Sequence, residues 1–273
     1  MEISLTTTAV AALAGMCGTL IGGMQTFILY GAIVILQCVL QICGVDTTAY
    51  TTWLVNLFFL PACIFNGTVG ATGYAARKYD IEAWEIEKSL AFTHDPLVLL
   101  VGAVTAVFGY VLCALVSNTG FGVDAGSVSV VVTGILCRFC YPGKQRVNKD
   151  AFRALNDGKK WIYDICVAAV CAASAALLVQ LTGFMSVGFA ISAFLLLFQL
   201  SDKSVPSTHH ITMTAGYAIV LSGGNLQVAI LAGIVAQVIF TLFGAFYNMG
   251  CGSHIDPPAV AIGLCSLLLY MIF

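Results

Sequence analysis

Residues 96–118 read PLVLLVGAVTAVFGYVLCALVSN, 23 positions without a single Asp, Glu, Lys, Arg or His. At 1.5 Å per residue a helix of that length reaches about 35 Å, more than the ~30 Å hydrocarbon core of a bilayer. The rest of the chain repeats the pattern. Largely apolar stretches follow one another at about 3–20, 24–43, 50–76, 125–140, 161–183, 187–222, 226–249 and 257–273. Over all 273 residues the hydrophobic content is 60% and the charged content 9%, where a soluble domain carries about 25% charged residues. Such a chain lacks the polar side chains to cover a globule of its own size. Secreted, nucleic-acid-binding and cytosolic-enzyme functions are excluded together, and the expected fold is all-α: a polytopic transmembrane helix bundle of about 8–10 segments.

The net charge of −2 says little, but the placement of charge says more. Seven of the 11 basic residues fall between Arg138 and Lys160, and Arg77, Lys78 and Lys88 fall in 77–93. An excess of Lys and Arg marks cytoplasmic loops, so 77–93 and 141–160 are expected inside the cell. The connections 44–49 and 118–125, with Asp46 and Asp124 and no basic residue, are expected outside. The 11 cysteines are scattered through apolar runs and read as buried small hydrophobes; the close pair Cys137 and Cys140 lacks the second pair a metal or redox motif needs. The start, Met1-Glu2, has no basic n-region and does not read as a cleaved signal peptide.

Two apolar stretches are interrupted. Leu60-Pro61-Ala62 and the glycine-rich 66–73 break 50–76, and Ser201–His210 breaks 187–222; proline removes a backbone donor and clashes one turn back. The interruptions occupy matching places in an internal repeat. Thr72-Gly73-Tyr74-Ala75 resembles Ala215-Gly216-Tyr217-Ala218, the run 97–107 aligns with 228–238, and Asp124-Ala125-Gly126-Ser127-Val128 falls against Asp256-Pro257-Pro258-Ala259-Val260. This predicts two parallel pseudo-repeats with broken helices: an extra N-terminal segment at 1–23, a first four-segment unit at 24–140, a basic cytoplasmic linker at 141–160, and a second unit at 161–273. A parallel repeat needs an even number of crossings per unit, so 187–222 is expected to cross once. Loops 118–125 and 250–256 would then both lie outside. The competing reading makes 202–209 a short cytoplasmic loop between two complete helices, which Lys203 suits.

Ionisable groups inside a bilayer are costly and usually line a polar path. The repeat places Asn66, Thr68 and Thr72 opposite Asp202, Lys203, Thr208, His209 and His210, with His254 and Asp256 opening the last helix. A His beside an Asp can carry a proton near neutral pH, and hydroxyls can replace solute hydration without adding charge. His94-Asp95-Pro96 carries the same residue types at the cytoplasmic edge, where the Asp reads as a helix cap. Asn66-Gly67-Thr68 matches a glycosylation acceptor formally, but inside an apolar stretch it reads as helix-break chemistry, and glycines at 67, 70 and 73 suit close packing. His209, His210, His254 and Asp256 could ligate a metal, though none has the i, i+4 spacing that places two imidazoles on one helical face.

The segment Ser253-His254-Ile255-Asp256-Pro257-Pro258-Ala259 resembles the His-Pro-Pro motif of the HPP family of integral membrane proteins, from which it departs by the inserted Ile255-Asp256. The resemblance implies a small polytopic membrane protein, in a family some of whose members are associated with nitrite transport, with His254, Pro257, Pro258 and Ala259 as the matching positions.

The function expected is a membrane transporter or channel for a small polar solute or ion, with its path between the two repeats. Its partners would be that solute and the lipid bilayer, not nucleic acid. No cofactor is implied, and small-residue runs such as Ala168-Ala169 and Ala172-Ala173 permit a homo-oligomer. The alternative is an intramembrane enzyme, metal-dependent or acid–base, using the His/Asp cluster; a scaffold subunit needs no polar path at all.

Overall fold

The computed structural model describes residues 1–141 and 145–273; Lys144 of the basic loop lies outside the described residues. Helix makes up 73% of the chain, with no strand among the described residues. In chain order the helices are α1 (Leu5–Ile21), α2 (Gly23–Ile42), α3 (Thr48–Tyr50), α4 (Ile64–Ala75), α5 (Pro96–Asn118), α6 (Ala125–Cys140), α7 (Ala151–Leu155), α8 (Gly158–Thr182), α9 (Val187–Leu195), α10 (His209–Leu221), α11 (Leu226–Tyr247) and α12 (Pro257–Ile272). Wider π-helical turns carry α3 on to Phe58, and tighter 3-10 turns carry α9 on to Leu200. Four helices, α2, α5, α8 and α11, are long and apolar enough to cross a membrane. They turn Leu29, Leu100, Val170 and Leu231 outward, bare apolar surface that suits lipid and not water.

Polar residues just outside the apolar runs start the helices. Asp124 accepts from the Ser127 N–H at 2.6 Å, Asp157 from Lys160 at 3.1 Å, and Asp256 from Ala259 at 2.9 Å, each satisfying one of the amides a helix start leaves free. Asn225 takes two such amides, of Gln227 and Val228, at the start of α11. Asn225→Ala is expected to lower stability by about 1 kcal/mol, seen as a small fall in Tm of the detergent-solubilised protein.

Small residues set the packing. α1 lies along α4 and α5, and α8 along α10 and α11, while α2 packs on α9 and α6 on α12. A Cβ on Gly15 would stand 2.3 Å from the Gly102 carbonyl oxygen, and one on Gly67 would stand 2.4 Å from the Gly15 Cα, so three backbones touch at this crossing. Gly70 abuts Thr105, and Gly73 abuts Tyr141. On the other side Ala168, Ala172, Ala175 and Ala176 of α8 are buried against Ile211 and Ala215 of α10.

The directions of the helices correct the parallel arrangement. Gly134, late in α6, meets the His254 carbonyl and Ile255 at the start of α12, and Ser266, late in α12, accepts from the Asp124 N–H at the start of α6 at 3.0 Å. The two helices therefore run antiparallel, and residues 119–124 and 248–256 stand at opposite ends of the bundle instead of sharing one. The 248–256 loop sits instead with the basic linker: the Asn148 N–H donates to Phe246 O at 2.8 Å and the Gln145 Nε2 to Gly250 O at 2.9 Å.

The expectation that 187–222 crosses once is likewise replaced. Gly188 of α9 lies against Thr212 of α10, and the Met185 carbonyl against Gly216, so the later residue on one arm meets the earlier residue on the other. The stretch goes down through α9 and comes back through α10. Its return is unequal: α10 starts beside Phe189, whose ring centroid is 6.1 Å from that of His209, while Asp202 and Lys203 are exposed at the end bearing the 76–95 loop. The physical reason lies in residues 201–208. Asp202 Oδ1 accepts from the Ser204 N–H at 2.9 Å and closes a tight turn, and the chain then climbs non-helically to His209. The hydrogen bonds from Ser204 hold the Asp202 carboxyl below its usual range.

Candidate functional site

Between α2 and α9 on one side and α4, α6, α10 and α12 on the other lies a cavity of about 1010 Å³. One mouth, at the basic end, carries Trp84, Glu87, Gln199 and Lys203; the far part reaches Gln37, Asn56 and Asp124. Its middle is aromatic. Ring centroids of His254 and Phe65 are 5.8 Å apart, of Phe65 and Phe27 6.2 Å, and of Phe27 and His209 4.7 Å, so one wall is a run of rings from one histidine to the other.

His254 and Asp256 form the polar centre. The His254 Nδ1 lies 2.9 Å from the Trp84 carbonyl oxygen, and its Nε2 lies 3.1 Å from Asp256 Oδ1. A carbonyl only accepts, and an ionised carboxylate only accepts. Each ring nitrogen therefore faces an acceptor, and a proton between Nε2 and Oδ1 would let both contacts be hydrogen bonds. The other oxygen, Oδ2, is the cap of α12, which ties the position of the pair to the helix start.

His209 lines the same cavity, is buried, and has no hydrogen-bond partner on Nδ1. His210, next to it, is turned away. Its ring stacks on Phe240 with centroids 4.1 Å apart, and its Nε2 meets Gln237 Oε1 at 2.9 Å, which makes Nε2 the protonated nitrogen. Gln237 is held in turn by Thr241. Thr208 opens α10 with its backbone only, its carbonyl accepting from the Thr212 N–H.

The remaining residues singled out in the sequence lie apart from this centre. Asn66 is buried on α4, its Nδ2 3.2 Å from Ser129 Oγ, and Thr68 donates to the Ile64 carbonyl; both belong to the packing of α4 against its neighbours. Thr72 is buried on the same helix. Asp202 is exposed, and Lys203 pairs with Glu87 at the mouth. Among the described residues no group of three or more His, Cys, Asp or Glu side chains is placed to hold a metal ion.

Three further features complete the site. Asp124 is also on the cavity wall, accepting from the Tyr217 hydroxyl at 2.6 Å. Arg138 of α6 is buried and fixes the loop that carries His254: it donates to the carbonyls of Tyr247 (2.6 Å), Arg146 (2.9 Å) and Ser253 (2.6 Å) and to Ser253 Oγ (3.2 Å). The aromatic wall is drawn from α2, α4, α10 and the loop before α12 and has no local pattern. Asp124 stands out in the sequence as a scarce acid between apolar runs and Arg138 as a charge inside one; the aromatics do not stand out at all.

The model of DUF7973, a family of unknown function, matches this chain in two stretches, residues 1–151 and 144–273. The chain belongs to this family. Comparison of the DUF7973 chain with curated proteins and with solved structures finds no match. The boundary between the two DUF7973 stretches falls in the basic linker, so Asp124 and Tyr217, and likewise His254 and Phe65, come to the cavity from different stretches.

Proposed function

We propose that this chain is a membrane transporter or channel for a small polar solute or ion, with the cavity between its two halves as the path. The observation that carries the reading is a partly open cavity of about 1010 Å³ that holds the His254–Asp256 pair and His209, whose Nδ1 has no partner, in a chain with the make-up of an integral membrane protein. An intramembrane cavity with buried polar groups is costly to maintain unless something polar occupies it.

The antiparallel runs of α6 against α12 and of α9 against α2 support an inverted repeat, α1, α2, α3–α4, α5 and α6 against α8, α9, α10, α11 and α12, related by an axis in the membrane plane through the cavity. Five segments per half give the inversion, since an odd number of crossings reverses the second copy. The match of one family model to both stretches is consistent with this grouping. In it the first helix is a full member of its half, and the start of α4 at Ile64 and of α10 at His209 are the two interrupted crossings. The basic end, with the 76–95 and 141–157 loops, is assigned to the cytoplasm by the distribution of Lys and Arg.

The test is solute flux into proteoliposomes, followed by light scattering after osmotic steps with salts of small cations and anions, nitrite among them. Wild-type protein is expected to admit at least one solute faster than empty liposomes. Asp256→Asn keeps the helix cap but removes the charge, and should lower that flux about tenfold or more, while Asp46→Asn, on an exposed loop, should leave it unchanged. Flux equal to that of empty liposomes would sink the transport reading, and undiminished flux in Asp256→Asn would move the path away from this cavity.

A further inference from the structure

We infer that the cavity binds a small organic monocation, an amine or quaternary ammonium, and that its binding displaces the proton held by the His254–Asp256 pair; the inference rests on the transport reading above and names its substrate class. Three observations converge on it. The first is the sign of the wall. Two carboxylates, Asp124 and Asp256, line the cavity, whereas the only Lys and Arg side chains among its described lining residues are Lys88 and Lys203, paired at the mouth with Glu85 and Glu87. Arg138, a further cation among the described residues, spends its hydrogen bonds on carbonyls and a hydroxyl of the chain behind the site. With His254 beside Asp256 and the two lysines beside Glu85 and Glu87, Asp124 is the carboxylate on the wall without a cationic partner, so an anion would meet negative charge here.

The second observation is the surface between the carboxylates. An inorganic cation sheds its water only where several oxygens replace it, as in the six to eight ligands of a calcium site. This wall offers aromatic rings instead: Phe27, Phe65, Phe189, Phe240 and Trp84 all line the cavity, with Phe27 and Phe189 against His209. Ring faces attract weakly hydrated organic cations, and the attraction grows when water is excluded. The volume of about 1010 Å³ is also far larger than a bare ion fills.

The third is the proton count. With its two nitrogens facing the Trp84 carbonyl and the Asp256 carboxylate, the pair carries one removable proton and is neutral overall. An arriving monocation beside Asp256 supplies the same charge that the proton supplied. The imidazolium then loses the proton from Nε2 to water, the ring keeps its Nδ1 proton on Trp84, and the site remains neutral: one cation bound, one proton released. The other charged or titratable groups around the pair are His209 on α10, Glu85, Glu87 and Lys88 on the 76–95 loop, Lys203 beyond α9, and Arg138 on α6.

The experiment is calorimetric titration of the full chain in lipid nanodiscs with benzyltrimethylammonium, and in parallel with benzenesulfonate, a similarly sized anion. Each titration is run in two buffers of different ionisation enthalpy, so that the proton released is counted directly. The expected result is saturable binding of the cation only, with about one proton released per cation bound. Asp256→Asn should weaken binding about tenfold or more, and His254→Gln should retain cation binding while releasing no proton. Binding of benzenesulfonate as tight as that of the cation, or cation binding to wild type with no proton release, would overturn the inference. Anion binding together with anion flux would overturn it while leaving the transport reading intact; absence of flux for every solute would remove both.

Discussion

Replacing Arg138 with leucine is expected to be among the most damaging single changes to this protein and to abolish flux, although Arg138 is not on the cavity wall. Its guanidinium holds three carbonyls and a hydroxyl in one fixed fork, and each hydrogen bond to a charged donor is worth about 1.5–3 kcal/mol net. Removing them leaves the end of α11 and the Ser253 carbonyl without partners in a buried place. The loop 248–256 then loses the anchor that sets His254 against Trp84 and Asp256. A loss of at least about 3 kcal/mol follows from two such bonds alone, and it should appear as a large drop in Tm. Arg138→Lys separates charge from geometry: an ammonium keeps the charge but cannot reach four acceptors in a planar fork, so stability should recover in part and flux less. A leucine variant with wild-type Tm and flux would show that the loop is held by other contacts.

The second large effect is expected at Gly67. A Cβ there would lie 2.4 Å from the Gly15 Cα and 2.9 Å from the carbonyl oxygens of Gly15 and Gly102, and all three are backbone atoms that no rotamer change can move. Gly67→Val must therefore separate α1, α4 and α5. Forced overpacking in a tight core costs about 1–3 kcal/mol where side chains can yield, and more is expected where they cannot. Expression of folded, monodisperse protein in detergent should be largely lost. Gly158→Ala is the control, since nothing lies within 4 Å of its Cβ position at the first residue of α8, and it should be neutral or slightly stabilising. Equal behaviour of the two variants would mean that the three-backbone crossing does not form.

How much of this was legible in the sequence depends on the kind of information asked for. The membrane class, the helix boundaries and two of the caps were legible because they depend on local composition: Asp95-Pro96 and Asp256-Pro257-Pro258 mark helix starts by their own chemistry. The interruptions at Pro61 and at Ser201–His210 were legible for the same reason. Their geometry was not. Hydropathy has no sense of direction, so the same largely polar stretch 201–208 reads equally well as a break in one crossing or as a turn between two. The matching landmarks that suggest a repeat read identically for parallel and inverted copies; the choice depends on whether residues 187–222 reverse.

The site divides in the same way. His209, His254 and Asp256 stood out because ionisable side chains are rare in apolar runs, and rarity is a one-dimensional property. That His210 stacks on Phe240 while His209 faces the cavity is a matter of which way α10 is rotated, and neighbouring residues on a helix point about 100° apart. Asn66, Thr68 and Thr72 looked equivalent to them by position in the repeat, yet α4 turns these residues into its packing against α6 and its neighbours. The sequence by itself determined the solvent, the elements and the scarce polar groups, because each follows from the chemistry of adjacent residues. Only the tertiary structure decided which of those groups share one cavity, because helix direction and rotation are settled by contacts such as Gly134 with Ile255 and Gly216 with Met185, between residues too far apart in the chain for any local pattern to relate them.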